Sequence, residues 1–386
     1  MSEKLPNGWK RVKLGEVAVF NYGKSLPEKN RIKGNIPVYS SAGITGWHNE
    51  ALVKSKGIIV GRKGTIGKVY KAKVPFYPID TCYYILPNEN YDFDFMYYLL
   101  IYLKLDELNE DSAVPGLNRN TAYSQEILLP PLPEQKAIAS VLSSLDDKID
   151  LLNRQNQTLE KMTETLFRKW FIEDAKEDWE IVSLEEIAEV KNGFAFKSKD
   201  YVEYQPEHLE VLKMGHIDKN GGLKTNPKHN YIPRDKKFEK YILNKGDIVI
   251  AMTDMKDNVV ILGVPAMVDK NNHYVLNQRV ARISLKDNKK LINNYLLYLQ
   301  LKDKENIAIL RTKANSGVQV NLTIQSIRNI DIIIPPLPLQ IEKGKIIEKL
   351  YNKIEINNNQ IRTLEKLRDI LLPKLISGEV RMKDEG

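Results

Sequence analysis

The sequence predicts an α+β protein: two related mixed α/β globular domains separated by an antiparallel two-helix coiled coil, the halves related by a pseudo-two-fold axis. Three observations predict it. One long stretch occurs twice, each occurrence carries a heptad seam, and each follows a region with the same order of strand and helix signals.

Residues 128–171 and 333–376 align without a gap at an offset of 205. Pro130, Pro131, Leu132 and Pro133 fall on Pro335, Pro336, Leu337 and Pro338, and Gln135 falls on Gln340. Lys148 and Ile149 match Lys353 and Ile354, and Thr158 to Lys161 match Thr363 to Lys366. The chain is therefore a tandem duplication.

In the first copy a 4-3 spacing places Leu142, Leu145, Ile149, Leu152, Asn156, Leu159, Thr163, Leu166 and Trp170 on one seam. In the second the seam is Ile347, Leu350, Ile354, Asn357, Ile361, Leu364, Arg368, Leu371 and Leu375. The prolines stop a strand and open a helix, since proline cannot donate to a ladder but is tolerated in a first helical turn. Each copy is expected to be a helix of about 40 residues, about 60 Å long. Antiparallel pairing with Asn156 facing Asn357 puts Ile149 on Leu364, Leu142 on Leu371 and Thr163 on Leu350, with one buried Asn layer fixing the register.

The globular regions repeat as well. Trp9 and Trp179 each precede a short strand and a helical turn, at an offset of 170, so the second region is longer by 35 residues while the helices keep their length. Lys56 to Gly61 matches Lys245 to Ile250 as a turn feeding a buried strand, and Pro78 to Ile85 matches Asn277 to Ile283 as a loop and strand. Phe95 to Leu99 parallels Tyr295 to Leu299 as an apolar helix face, and Pro115 to Asn118 parallels Gln319 to Thr323 before the last strand. The expected division is 1–133 first globular domain, 134–173 central helix, 174–338 second globular domain, 339–380 C-terminal helix and 381–386 tail.

Composition narrows the function. The net charge of +8 leans towards an anionic partner, and a single cysteine, Cys82, rules out a disulfide framework or thiolate cluster. No apolar signal core opens the chain and no run of 18 apolar residues occurs, which reads as a soluble, cytoplasmic protein without a membrane partner. A methyltransferase needs a Gly-rich cofactor loop and an Asn/Asp-Pro-Pro-Tyr run, and neither is present. The Gly61 to Lys68 loop has one residue too many for a phosphate-binding P-loop and ends in Val69. His48, His208, His216, His229 and His273 show no metal-ligand spacing, so no metal site is expected. No nuclease constellation appears, and the chain is read as non-catalytic, binding no cofactor itself.

What is present is charge for phosphates. Between Ala51 and Ile79 lie Lys54, Lys56, Arg62, Lys63, Lys68, Lys71 and Lys73, and no acid. The second region carries Lys224, Lys228, Arg234, Lys236, Lys237, Lys240 and Lys245 against Asp235 and Glu239. Either run alone reads as a solvated face; one in each copy of a spaced duplication reads as contact to double-stranded DNA, with half-sites about 34 to 36 Å apart. Candidate DNA-binding residues are Trp47, His48, Lys54, Arg62, Lys63, Thr65 and Lys68 in the first region. In the second they are Arg234, Lys236, Lys237, Thr253, Asp254, Lys256, Gln278 and Arg279.

The doubled Trp-led opening, Lys-Gly-(Asp)-Ile-Val strand, Pro-Pro-Leu-Pro-x-Gln junction and Leu-rich coil, with the closing Leu371 to Gly378, resembles the specificity subunit of type I restriction-modification systems. The resemblance covers nearly the whole chain and departs from the family pattern at Ile58, where Asp is usual, and in a shorter loop around Asn118. It implies two target-recognition domains, each reading half of an asymmetric bipartite site, with the coil setting the spacer. It also implies two modification subunits bringing S-adenosylmethionine, and restriction subunits bringing ATP and Mg. An S-like subunit of a type II methyltransferase-nuclease and a coiled-coil adaptor that does not bind DNA are the alternatives.

Overall fold

The computed structural model describes residues 5–108, 116–256, 258–287, 290–316 and 319–382. Pro115 and the end of the tail, residues 383–386, lie outside them. The chain forms two compact units, one of residues 1–153 and 359–386 and the other of residues 154–358. This differs from the division expected from sequence, in which the helices stand apart from the globular domains. Each unit instead takes a portion of both long helices, because the helix seams complete the globular cores.

In the first unit, strand Lys10–Lys13 pairs antiparallel with Glu126–Leu129. A four-stranded antiparallel sheet runs in the order Asn21–Tyr22, Cys82–Ile85, Gly57–Gly61, Val69–Ala72. A three-stranded sheet places Ile36–Ser40 between Gly43–His48, antiparallel, and Tyr77–Pro78, parallel. The central strand Gly57–Gly61 is buried along its whole length, which its unbroken small and β-branched run favours. Helix Phe93–Tyr102 is capped by Asp92, whose carboxylate accepts from the amides of Asp94 and Phe95. Its Phe95, Met96 and Leu99 join Phe20, Ile58, Val60 and Ile85 in one core with Leu142, Leu375 and Ile376 from the long helices.

The second unit repeats this plan. Glu180–Ser183 pairs with Asp331–Ile334. The four-stranded sheet runs Ala188–Asn192, Val280–Leu285, Ile248–Ala251, Pro265–Met267, and the three-stranded sheet places Leu209–Leu212 between Tyr231–Ile232 and Tyr274–Leu276. The strand and helix matches expected from sequence thus occupy equivalent places. Part of the added length forms a further sheet of Thr253–Met255, Gln319–Asn321 and Asn315–Ser316.

The long helices span Leu132–Arg168 and Leu337–Ile376, and the first continues into a π-helical turn, Lys169–Glu173. Leu142, Ile149, Leu152, Asn156, Ile347, Ile354, Asn357 and Ile361 are buried. Leu145, Leu159, Leu166, Leu350, Leu364 and Leu371 are half-buried, so the 4-3 seam is the packed face throughout. Within the first unit Ile149 and Leu152 cluster with Ile361 and Leu364, and Arg368 donates to Asp146 at 2.9 Å. Residue numbers rise on one helix as they fall on the other, which makes the pair antiparallel. The polar seam position Arg368 is thereby satisfied, and the other Asp146 oxygen accepts from the Tyr98 hydroxyl at 2.6 Å.

Within the second unit, Lys343 lies over the Trp170 ring, 4.9 Å from its centre, again antiparallel. Asn357 donates to Asn156 at 2.9 Å, and Asn156 donates to Asn358 at 2.8 Å, forming the expected polar layer with Asn358 added. Tyr351 of the second helix stacks on Tyr295 at 4.6 Å, fastening helix Asn294–Lys302 to the coil.

The Pro-Pro-Leu-Pro-x-Gln junction has the same mechanical role twice. Gln135 is buried; its amide donates to the Pro130 carbonyl at 2.9 Å and its oxygen accepts from the Asp92 amide at 2.8 Å. Gln340 donates to Pro335 and Lys290 carbonyls at 2.7 and 2.6 Å and accepts from the Ile292 amide at 3.2 Å. Each glutamine satisfies carbonyls that the prolines leave without a ladder partner and ties the helix start to the loop opening the core helix. The N-terminal tryptophan is similarly held: Trp9 Nε1 donates to Glu134 at 2.9 Å, and Arg381 pairs with the same carboxylate at 2.6 Å. No helix of the described residues is long and apolar enough to cross a membrane.

Two predictions follow from these contacts. Gln135→Leu strands buried backbone groups and is expected to cost about 1–3 kcal/mol in urea unfolding, with Gln340→Leu costing a similar amount; a loss confined to a few tenths would contradict the stapling role. Asn156→Leu leaves Asn357 facing an apolar side chain, so the single variant should melt below the Asn156→Leu/Asn357→Leu double variant. A double variant no more stable than the single one would show that the amide pair is not coupled.

Candidate nucleic-acid interface

In the first unit, a cleft of about 370 Å³ opens beside the four-stranded sheet, lined chiefly by Tyr22, Arg62, Lys63, Tyr83, Asn118 and Arg119. The sheet supplies Tyr22 and Tyr83, directly paired on adjacent strands. Arg62 leaves the end of the central strand, its backbone amide donating to Thr81 and its carbonyl accepting from Leu117. Arg119 opens helix Arg119–Tyr123, capped by the Asn118 side chain. The guanidinium of Arg62 lies 5.0 Å from the Tyr22 ring centre and that of Arg119 lies 5.1 Å from it, so one ring carries two cations. Arg62 also donates to the Asp80 carbonyl at 2.9 Å. The Arg119 Nε is buried without a hydrogen-bond partner among the described residues. Burial, followed by the adjacent Tyr22 hydroxyl, pushes the Tyr83 phenol up to about 12, so it stays a neutral donor, here to the Leu117 carbonyl at 3.1 Å.

Two half-buried guanidiniums, planar aromatics and amide side chains in one concave site suit a phosphate or a base edge. Lys63, Thr65 and Lys68 extend this surface along the exposed turn after the central strand. The turn depends on Gly67, which has φ of +68° and sits so close to the Asp106 backbone that a Cβ would meet its nitrogen at 2.0 Å. Lys63 and Lys68 make no ion pair among the described residues, unlike Lys71 and Lys73, which pair with Asp94 and Asp147. Lys54 is exposed on the approach to the central strand, and Trp47 is exposed on the three-stranded sheet.

His48 does not belong to this surface. It is buried, its Nδ1 accepts from the Ile32 amide at 3.0 Å, and its ring packs edge-on against Tyr77. The structure corrects two expected readers in the second unit as well. Thr253 is buried and donates to Asn321 at 2.9 Å. Asp254 accepts from the amides of Val260, Ile261 and Leu262 through one oxygen and from Met255 through the other, so its carboxylate is consumed in shaping a loop. A polar side chain pointing at free backbone amides satisfies them in preference to solvent.

Apart from Gln278, the other second-unit candidates are exposed. Lys256 and Arg279 are exposed, and the Arg279 carbonyl accepts from the Met252 amide. Gln278 is half-buried, with its side-chain oxygen unpartnered among the described residues. Lys236 and Lys237 lie on the turn Lys236–Tyr241, capped by Asp235, while Arg234 donates to the Asn272 carbonyl at 2.8 Å. Tyr22 and Arg119 were missed from sequence. The available signal was Asn118, a helix cap that places the next residue at a helix N-terminus beside the sheet.

The chain matches the family model described as type I restriction modification DNA specificity domain twice, over residues 6–161 and 176–366. It is 27% identical to the type I restriction enzyme MjaIX specificity subunit of Methanocaldococcus jannaschii, covering 99% of this chain and 95% of that protein. It is 23% identical to the HindI specificity subunit of Haemophilus influenzae, covering 79% and 81%. The crystal structure of the type I restriction-modification S subunit from M. genitalium superposes with a TM-score of 0.61 at 19% identity over 99% of both chains, which shows a shared fold. Matched twice over most of its length, the chain belongs to the type I restriction-modification DNA specificity family.

Proposed function

We propose that this chain is the DNA-recognition subunit of a type I restriction-modification enzyme, each globular region reading one half of an asymmetric bipartite site. The observation that carries this reading is the doubled family match, each copy running into one of the two paired helices. The first-unit cleft, with Arg62 and Arg119 on Tyr22, supplies base or phosphate contact; Arg234, Lys236, Lys237, Lys256, Gln278 and Arg279 supply it in the second. The helices set the spacer and dock two modification subunits, and restriction subunits join that assembly. Chemistry belongs to the companions: S-adenosylmethionine serves methylation, and ATP with Mg serves translocation and cleavage. The chain itself positions DNA without transforming it, in the cytoplasm.

In the assembled methyltransferase, Arg62→Ala and Arg119→Ala are each expected to weaken binding to cognate duplex by about tenfold or more, the loss of one good contact being about 1–3 kcal/mol. Anisotropy titrations at fixed salt measure this, and unchanged affinity in both variants would remove the cleft from the interface. Four residues added to both helices extend each by about 6 Å, nearly two base-pair steps of about 3.4 Å. Methylome sequencing should then report a longer unread spacer between unchanged half-sites, whereas altered half-site letters would refute the spacer role.

A further inference from the structure

A second constellation lies in the second unit, built on Glu210. This residue sits in strand Leu209–Leu212, whose neighbours place Tyr231 on one side of it and Tyr274 on the other. His229 and His273 lie just before those two neighbouring strands, and His216 ends the turn Met214–His216 after the Glu210 strand. Strand pairing therefore carries three imidazoles to one buried carboxylate. His216 Nε2 lies 2.9 Å and His229 Nδ1 2.6 Å from Glu210 Oε1, and His273 Nε2 lies 3.1 Å from Oε2. Burial raises the Glu210 carboxyl, but the three imidazole contacts outweigh it and hold the group well below the usual carboxylate range.

The imidazoles are not equivalent. The Lys213 amide donates to His216 Nδ1 at 3.2 Å, so His216 Nε2 carries the ring proton and donates to Glu210. With its side chain only 4% exposed, His216 orients the carboxylate. His229 and His273 have no such constraint: among the described residues, the second nitrogen of each ring has no protein partner. Their side chains are 42% and 31% exposed, so the side of the carboxylate they occupy is open to solvent.

We propose that Glu210, His229 and His273 bind a divalent transition-metal cation of the zinc class, with His216 as the positioning residue that holds the carboxylate. Two imidazoles and a carboxylate are a borderline donor set suited to Zn²⁺, Co²⁺ or Ni²⁺. Metal–donor bonds of about 2.0–2.1 Å in a tetrahedral site set donor atoms roughly 3.3 Å apart. The 2.6 and 3.1 Å contacts run to opposite oxygens of the carboxylate, so the two imidazoles swing toward one point when a cation replaces the shared protons. The ligands come from one strand and from the residues leading into its two neighbours, so the cation ties that sheet to the segment that carries Arg234, Lys236 and Lys237. No sequence spacing advertises this site, because sheet pairing and not chain proximity unites its members.

The test uses the tag-free full-length chain, stripped with chelator and titrated with Co²⁺, followed by competition with Zn²⁺. One equivalent of Co²⁺ should produce saturable visible absorption that Zn²⁺ abolishes. His273→Ala and His229→Gln should each weaken binding at least tenfold; the glutamine retains an amide donor for Glu210, and circular dichroism verifies the fold. His216→Ala should keep the one-to-one stoichiometry while weakening affinity by about 10- to 100-fold. Absence of saturable binding by the unaltered chain, or undiminished binding by folded His229→Gln, would overturn the proposal and leave the cluster a hydrogen-bonded neutraliser of a buried charge.

Discussion

Each compact unit depends on the antiparallel contact between the two long helices. An isolated helix with a continuous apolar seam exposes it to water; pairing buries Ile149, Leu152 and Ile361 in one unit and Ile354 beside the asparagine layer in the other. Leu142, Leu375 and Ile376 go further and become members of the first globular core. That core is therefore incomplete until the chain's last helix has arrived, and the Glu134–Arg381 pair closes contacts between residues far apart in sequence. Such non-local closure makes folding depend on topology more than on local propensity.

Periodic features were legible in the sequence because they are local. The heptad seam, the Pro-Pro junction and the buried strands Gly57–Gly61 and Ile248–Ala251 all express a fixed spacing or a run of apolar residues. The roles of polar side chains were less legible. Thr253, Asp254 and His48 look like available loop donors and acceptors, yet each meets an internal partner that only the folded backbone presents. Arg119 and Tyr22 were missed for the converse reason: the sheet and the short capped helix bring them together from opposite ends of the first globular region. The division into compact units was also hidden, since periodicity identifies a helix without telling which core its ends complete.

The repeated units separate scaffold from recognition. Arg62 and Met252 occupy the same backbone position: their amides donate to Thr81 and Arg279, and their carbonyls accept from Leu117 and Leu322. Strand register likewise equates Tyr22 with Asn192 and Tyr83 with Ala281, while the capped helices equate Arg119 with Ile324. Backbone hydrogen bonds persist where Tyr22, Arg62, Tyr83 and Arg119 of the first cleft have all changed, while Leu117 keeps its counterpart in Leu322. A stacked pair of guanidiniums thus gives way to an amide and apolar groups on one unchanged frame.

That divergence has a physical consequence for specificity. Phosphate contacts position a protein irrespective of sequence, whereas discrimination comes from side chains that meet base edges. Two units with the same cleft chemistry would favour similar half-sites; Met252, Ala281 and Ile324 stand where the first unit has Arg62, Tyr83 and Arg119, so the equivalent positions of the second unit carry no guanidinium and no phenol. Because these substitutions sit at strand ends and a helix start, they alter what the surface offers without disturbing Gln135 or Gln340, which secure the helices in both copies. An asymmetric pair of half-sites is the expected outcome of a duplicated frame whose structural hydrogen bonds are held and whose lining side chains are free to differ.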